Sequence, residues 1–364
     1  MSEVIKFDIQ LKRREFFLNV KAEISEGITG IYGPSGHGKT SMLNAIAGLV
    51  KPESGYIVLN GTPVFDSKER INLPVRKRKV GYVFQDIRLF PHLSILKNLE
   101  YGFNRSAESK IGVDEVTDIL NIKHLLDKKP DECSGGEKQR ISIGRAILSG
   151  AQVLMMDEPF SAVDAQLRST IIPFLTALNK RFRIPILIVS HDLPDLLSLT
   201  DHLLLLKDGA ISAFGKFQDL IVDENNIDLM RDAGLYNVFD LCVFATLPQK
   251  NMVLLHSPTS EFQVQVLLQS FSNPNIEVEQ KIKVLIRPED ISIALNPVDQ
   301  ISLRNQIPGT IVKIFSRNGL SFCLVDAGEK VLVEITEASK KNMNLEVGTT
   351  VYCLFKSAAL KMFE

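Results

Sequence analysis

Gly33-Pro34-Ser35-Gly36-His37-Gly38-Lys39-Thr40 decides how the first part of this 364-residue chain is read. The run fits Gly-x-x-x-x-Gly-Lys-Ser/Thr. A short apolar run over residues 28–32 leads into it. Residues 40–49 follow, with Leu43, Ile46 and Ala47 at helical spacing and Gly48 near the end. Strand, Gly-rich loop and helix in that order predict a phosphate-binding loop. Glycines let backbone N–H groups curl around phosphate oxygens, and the helix N-terminus adds positive potential. Lys39 is then placed for the β- and γ-phosphates, and the Thr40 hydroxyl for Mg²⁺.

The surrounding segments read as an α/β fold. Phe16, Leu18, Val20, Ala22 and Ile24 alternate with mostly polar neighbours, the period of a half-buried strand. Residues 55–59 and 80–84 read as further strands, and residues 86–150 as mainly helical. Residues 153–156 and 184–189 are apolar runs that suit buried parallel strands. Between them Leu167, Ile171, Phe174, Leu175 and Leu178 form one helix face, which Pro173 is expected to kink. The basic cluster at residues 76–79 reads as a solvated loop.

Two more motifs carry chemistry. The apolar run at 153–156 ends in Asp157-Glu158, where Asp157 can support Mg²⁺ and Glu158 can polarise an attacking water. Ser134-Gly135-Gly136-Glu137 opens a helical pattern. Ser134 and Glu137 have capping-box spacing, so a plain helix start accounts for them as well. The two glycines are poor helix formers, however, and suit a phosphate that approaches the backbone closely.

Together these residues resemble the ATP-binding subunits of ABC transporters. The phosphate loop, Gln85, the Ser-Gly-Gly-Glu signature, Asp157-Glu158, Ser161-Ala162-Val163-Asp164 and His191 stand in that family's order, over roughly residues 1–235. The resemblance implies a P-loop ATPase fold with a helical subdomain. It implies ATP and Mg²⁺ as cofactors, with Thr40, Gln85 and Asp157 at the metal. Glu158, His191 and Gln85 become the catalytic residues, with His191 as the switch on the γ-phosphate. Two subunits are expected to face head to tail as a homodimer, with Ser134, Gly135 and Gly136 of one closing on the ATP of the other. Cys133 stands where Leu is usual and Glu137 where Gln is common. The family's adenine-stacking aromatic has two candidates, Phe16 and Phe17.

Beyond about residue 220 the character changes. Ile282, Val284 and Ile286 alternate, and runs at 310–315, 321–325, 330–335 and 350–355 are separated by turn signals. Short strands at this spacing suggest small β-barrels. The expected division is an ATPase domain over 1–235, a linker and first β-rich segment over 236–300, and a last domain over 301–364. Ser302-Leu303-Arg304-Asn305 and Lys356-Ser357 resemble the opening and ending of the molybdate-binding-like (Mop) domain, which implies an all-β, OB-like fold. Ser302, Arg304, Lys356 and Ser357 would supply the donors and positive charge that a tetrahedral oxyanion needs. Arg287-Pro288-Glu289-Asp290 resembles a motif shared by the C-terminal domains of many importer ATPases.

Within the family, residues 81–92 and this ending look most like the molybdate importers. The resemblance therefore implies two membrane permease subunits, an indirect periplasmic molybdate-binding partner and a peripheral place on the cytoplasmic face of the inner membrane. An importer for sulfate, ferric iron or a sugar is the nearest alternative. Non-transport ABC proteins usually carry two phosphate loops or a long coiled coil, and here one loop and no sustained heptads are seen.

Composition agrees with these expectations. Lys and Arg total 42 against 43 Asp and Glu, a net charge of −1, which argues against a general nucleic-acid partner. No apolar run reaches the roughly 18 residues of a membrane span, and no signal-peptide pattern opens the chain. Cys133, Cys242, Cys323 and Cys353 form no Cys-x-x-Cys pair, which fits reduced thiols in the cytosol.

Overall fold

The computed structural model describes residues 3–13, 16–103, 111–231, 234–271 and 276–363. The chain divides into two compact units, Met1–Lys216 and Phe217–Glu364. The division expected near residue 235 therefore falls inside the second unit.

Five parallel strands form the heart of the first unit. Their order is Val80–Val83, Val153–Asp157, Ile186–Val189, Ile28–Tyr32 and His202–Lys207. Every residue of Val153–Asp157 and Ile186–Val189 is buried. Burial on both faces is why these strands read as continuous apolar runs. Antiparallel strands extend the sheet beyond them. Among these, Phe16–Ser25 buries Leu18, Val20, Ala22 and Ile24 and leaves the residues between them exposed. The phosphate loop, Asp157 and the residues after Val189 all lie at the carboxyl ends of neighbouring parallel strands. Ligands of open α/β sheets bind along that edge.

The helix Lys39–Ala47 starts at Gly38, whose φ of +103° suits glycine, and stops at Gly48, which is also left-handed. Arg78 holds its C-terminal end. The guanidinium donates to the carbonyls of Ala45 (3.2 Å) and Ile46 (2.9 Å), and to Leu73 O and Asn72 Oδ1. This corrects the reading of residues 76–79 as a solvated loop, because Arg78 is buried. A cation meeting the last carbonyls of a helix is favoured by the macrodipole. The helix Ala165–Phe182 runs through Pro173.

The second unit contains an internal duplication that the sequence does not announce. The first half comprises Asn237–Leu247, Met252–His256, Gln263–Leu267, Lys281–Ile286 and Ser292–Ala294. The second comprises Asn305–Arg317, Leu320–Asp326, Lys330–Thr336, Thr350–Phe355 and Lys361–Phe363. In each half the first four strands pair in the order third, second, first, fourth, and the fifth strand joins the fourth strand of the other half. Each first strand carries a bulge, at Val243/Ala245 and at Ile311/Lys313. The bulge carbonyls of Val243 and Ile311 accept N–H bonds from Glu279 (2.9 Å) and Gly348 (2.8 Å), both with positive φ.

Asparagine at the start of each first strand ties the halves together. Asn237 accepts from Leu332 N (2.6 Å) and donates to Leu332 O (2.9 Å), while Asn305 accepts from Gln265 N (2.7 Å) and donates to Gln265 O (3.1 Å). Each side chain thus replaces a missing ladder partner on the third strand of the opposite half. One apolar cluster runs through both halves, joining Val253, Phe262 and Ile282 to Ile311, Val325 and Phe355. The stretches 236–300 and 301–364 are therefore interleaved around one core and do not form separate barrels.

Both asparagines are buried. Asn237→Ala leaves the Leu332 N–H and carbonyl without partners, which should cost about 1–3 kcal/mol. Asn305→Ala should cost about the same. Chemical denaturation of the two variants checks this, and a loss at one position only would break the equivalence of the halves.

Candidate functional site

A cleft of about 500 Å³ opens at the carboxyl edge of the parallel strands. Ser35, Gly36, Gly38, Lys39 and Thr40 line one side, and Gln85, Asp157 and Glu158 line the other. Residues expected to act together from three separate stretches of sequence thus share one cavity. Lys39 is 9% exposed, and its ammonium donates to Gly33 O (2.7 Å) and Pro34 O (2.9 Å). Burial pushes its pKa down, while Glu158 and Asp157 hold the charge up. His37, one of the four positions that the motif leaves open, accepts a hydrogen bond at Nδ1 from Asp208 N (2.9 Å).

Asp157 ends its strand 2% exposed. Burial raises the pKa of its carboxyl, and a hydrogen bond from Thr40 works against that rise. The Oδ1 atom is buried without a partner. An orphaned carboxylate oxygen beside a threonine hydroxyl and Gln85 is an all-oxygen donor set, which suits a hard divalent cation.

Glu158 turns the chain with φ +52°, a left-handed conformation costing a non-glycine residue roughly 1–2 kcal/mol. Its N–H bonds Val189 O at 3.0 Å, which ties the turn to the neighbouring strand. The carboxylate faces the cleft, and Oε2 lies 2.7 Å from His191 Nδ1. With a carboxylate as acceptor, Nδ1 carries the proton. The imidazole is three-quarters exposed, so Nε2 is left open to an incoming group. Strain of this kind at a polar, ligand-facing turn is a mark of function.

Ser134 caps the helix Gly135–Leu148. Its hydroxyl accepts from Glu137 N (3.3 Å), and Glu137 Oε2 accepts from Ser134 N (2.6 Å). The Ser134 backbone N–H, and after it the Ser134 hydroxyl, hold the Glu137 carboxyl below its usual pKa. The capping box is thus realised, and the two glycines separate in meaning. A Cβ on Gly136 would meet Ala162 O at 2.8 Å, so packing within the chain requires glycine there. A Cβ on Gly135 would meet nothing. Nothing in this chain explains that second glycine, and neither glycine nor Ser134 lines the cleft of its own chain.

In the second unit, Asn305 pairs with Phe355, so Arg304 and Lys356 lie just beyond one end of two adjacent strands, with Ser302 and Ser357 close in sequence. Ser302, Arg304 and Lys356 are exposed and Ser357 is buried. Among the described residues, Arg304 and Lys356 have no ion-pair partner. The corresponding positions of the first half are Tyr236 and Arg287. There the guanidinium is already engaged, by Tyr236 Oη at 3.3 Å and by Glu289 Oε1 at 3.0 Å.

Phe16, and not the half-exposed Phe17, lines the cleft. Arg13, at the end of the first strand, lines it too, and no motif marks that residue. A second cleft of about 330 Å³ is lined by Tyr82, Phe84, Arg88, Phe90, Tyr101 and Arg145. Its rings are closely packed. Tyr82 stacks on Phe84 at 4.3 Å and Phe90 meets Tyr101 at 4.4 Å, while Arg88 lies over Phe84. Among the described residues no helix is long and apolar enough to cross a membrane.

Comparison with known proteins agrees with this geometry. Residues 17–161 match the ABC transporter family model, and residues 301–362 match the TOBE domain. The molybdenum import ATP-binding protein ModC of Paramagnetospirillum magneticum is 36% identical, over 97% of this chain and 97% of its own length. ModC of Haemophilus ducreyi is 34% identical over 98% of this chain and its full length. Among solved structures, the ATP-binding cassette MJ0796, a post-hydrolysis dimer bound to ADP and phosphate, superposes with a TM-score of 0.51. It is 27% identical, covering 58% of this chain and 98% of that one.

The buried Asp157 gives a pH-dependent expectation. Its pKa is raised in the folded chain, so the ionised carboxylate opposes folding above that value and costs nothing below the ordinary aspartate value. Asp157→Asn should therefore stabilise the nucleotide-free chain near neutral pH, with the gain fading as the pH falls toward 4. Thermal denaturation at several pH values checks this, and a gain that grows on acidification would contradict it.

Proposed function

Because the chain belongs to the ABC transporter ATP-binding proteins, in the branch of the molybdenum import subunits, we propose that it couples ATP hydrolysis to molybdate import. The observation that carries this reading is the joint presence of Lys39, Asp157 and Glu158 around one cleft, with His191 bonded to the Glu158 carboxylate. Molybdate as substrate rests on the whole-length similarity to ModC proteins and on the ending of the second unit.

The residues divide the work. Loop N–H groups and the Lys39 ammonium hold the β- and γ-phosphates. Thr40, Gln85 and Asp157 would hold Mg²⁺, which neutralises phosphate charge when bound. Glu158 accepts a proton from water as the oxygen attacks the γ-phosphorus and the bond to the bridging oxygen breaks. His191 holds that carboxylate through Nδ1–H, and as an imidazolium it offers Nε2–H to a phosphate oxygen. Phe16 at the rim supplies the ring on which adenine stacks.

A second copy completes the site. The uncrowded face of Gly135, at a helix N-terminus whose first N–H groups are available, suits the γ-phosphate held by a partner. ATP binding then closes the pair and hydrolysis reopens it. The aromatic cleft beside Gln85, rimmed by Arg88 and Arg145, is where a helix of the membrane permease docks. The chain would thus sit at the inner face of the membrane, held by partners that span it. In the second unit Arg304 and Lys356, with Ser302 and Ser357, bind cytosolic molybdate or tungstate and restrain transport. Neutralisation of Arg287 by Glu289 leaves the first half without an equivalent site.

Glu158→Gln should lower ATP turnover at least about 10²-fold while the protein still binds ATP and dimerises. Undiminished hydrolysis would remove Glu158 from its role. Vesicles holding the chain and its permease should take up molybdate only with ATP, and uptake of sulfate alone would move the chain to another importer class. Equilibrium dialysis of the full chain should show molybdate binding that Arg304→Ala with Lys356→Ala abolishes. Binding that survives both changes would place the anion elsewhere.

A further inference from the structure

The hydrolytic pair is assembled from two loops that have no covalent reason to stay together. Glu158 follows the strand Val153–Asp157 and runs into residues 161–164, while His191 follows Ile186–Val189 and runs into the short helix Leu193–Leu199. The 2.7 Å contact between their side chains requires these loops to keep a fixed separation. His191 is largely exposed, so packing around its own ring does little to fix it.

Arg168, in the first turns of the helix Ala165–Phe182, bonds to both loops. Its Nη2 donates to Val163 O at 3.1 Å, in the segment that continues from Glu158. Its Nη1 donates to Asp195 Oδ2 at 2.8 Å and lies 3.9 Å from Asp192 Oδ2, in the segment that continues from His191. Both carboxylates are themselves anchored. Asp192 is the N-cap of the short helix and accepts from Asp195 N at 3.1 Å, and the Asp192 N–H donates to Ser190 Oγ. Asp195 is 10% exposed, so its bond to Arg168 is shielded from water and of the charge-assisted kind. The fork of a guanidinium can hold two acceptors at a fixed angle, which an ammonium cannot.

We propose that Arg168 is a positioning residue for hydrolysis, bracing the Glu158 loop against the His191 loop so that the carboxylate and imidazole meet. Arg168 does not line the cleft. Its effect passes through the geometry of the pair and falls on turnover and not on nucleotide capture. The proposal rests on Glu158 and His191 being the hydrolytic pair.

The test uses the full-length protein and steady-state ATP hydrolysis. Arg168→Ala should lower kcat on the order of 10²-fold, as misplacement of a catalytic group does, with KM for ATP changed by less than about threefold. In the His191→Ala background, where there is no imidazole left to position, the same change should cost less than about threefold. Arg168→Lys, which keeps the charge but loses the fork, should give an intermediate kcat and the same shrinkage in that background. An equal loss with and without His191 would overturn the proposal, as would a rise in KM with kcat preserved. If Arg168→Ala does not fold, the lysine variant decides by the same comparison. Failure of the underlying reading is seen separately, as full turnover by Glu158→Gln.

Discussion

An ammonium group cannot leave water without negative charge or carbonyl oxygen close by, and the first unit is arranged around that constraint. Lys39 is almost wholly buried, with two loop carbonyls against its Nζ and the charges of Asp157 and Glu158 nearby. To bring those groups together, Ile28–Tyr32 and Val153–Asp157 must run parallel and end at one edge, with Ile186–Val189 between them. Parallel strands joined by right-handed crossovers give that arrangement. The same arrangement sets His191, at the end of the middle strand, beside Glu158. Each charge in the cleft makes the burial of another tolerable, and the three are oriented toward a space that a polyphosphate and a hard cation can fill.

This interdependence explains which parts of the site were legible in the sequence. Gly33-Pro34-Ser35-Gly36-His37-Gly38-Lys39-Thr40 and Asp157-Glu158 are local signals, each attached to an apolar strand whose burial the sequence declares. The strand Ile28–Tyr32 has the bounds read from its apolar run, and Leu18, Val20, Ala22 and Ile24 face the core as their period requires. Arg78 was not legible, because its importance lies in reaching carbonyls more than thirty positions away in the chain, and its neighbours in sequence look like solvated charges. Arg13 likewise enters the cleft only because the first strand ends there. The left-handed turn at Glu158 was not legible either. Glutamate has no preference for it, and the turn is held by the bond to Val189 O, by Ser161 on its carbonyl and by the His191 contact.

In the second unit the duplication was hidden for a related reason. What the halves share is geometry: a bulge in the first strand, a left-handed residue before the fourth, an asparagine at the start. Bulges and exchanged strands are satisfied by many residue types, so sequence similarity between the halves is not needed to preserve them. Asparagine is an exception, since its amide presents a donor and an acceptor with the spacing of a peptide group. Asn237 and Asn305 could stand in for backbone on opposite strands where aspartate or leucine could not. The five-strand sheets then complete each other, and neither half has a closed ladder by itself.

The two halves keep this frame and differ in charge, which separates what the fold requires from what a ligand would require. Position by position, Arg287 and Lys356 both follow the fourth strand, and Tyr236 and Arg304 both precede the asparagine. In the first half the cation is met by a hydroxyl and a carboxylate of its own chain, and the cluster is electrically complete. In the second half Arg304 and Lys356 lie just beyond the same end of adjacent strands, both exposed and, among the described residues, without an ion-pair partner. The Tyr236–Arg287–Glu289 arrangement shows that the frame also accepts a neutralised alternative at these positions. Two exposed cations with serine hydroxyls close in sequence have the chemistry that the proposed oxyanion site needs, and the first half has its cation already matched.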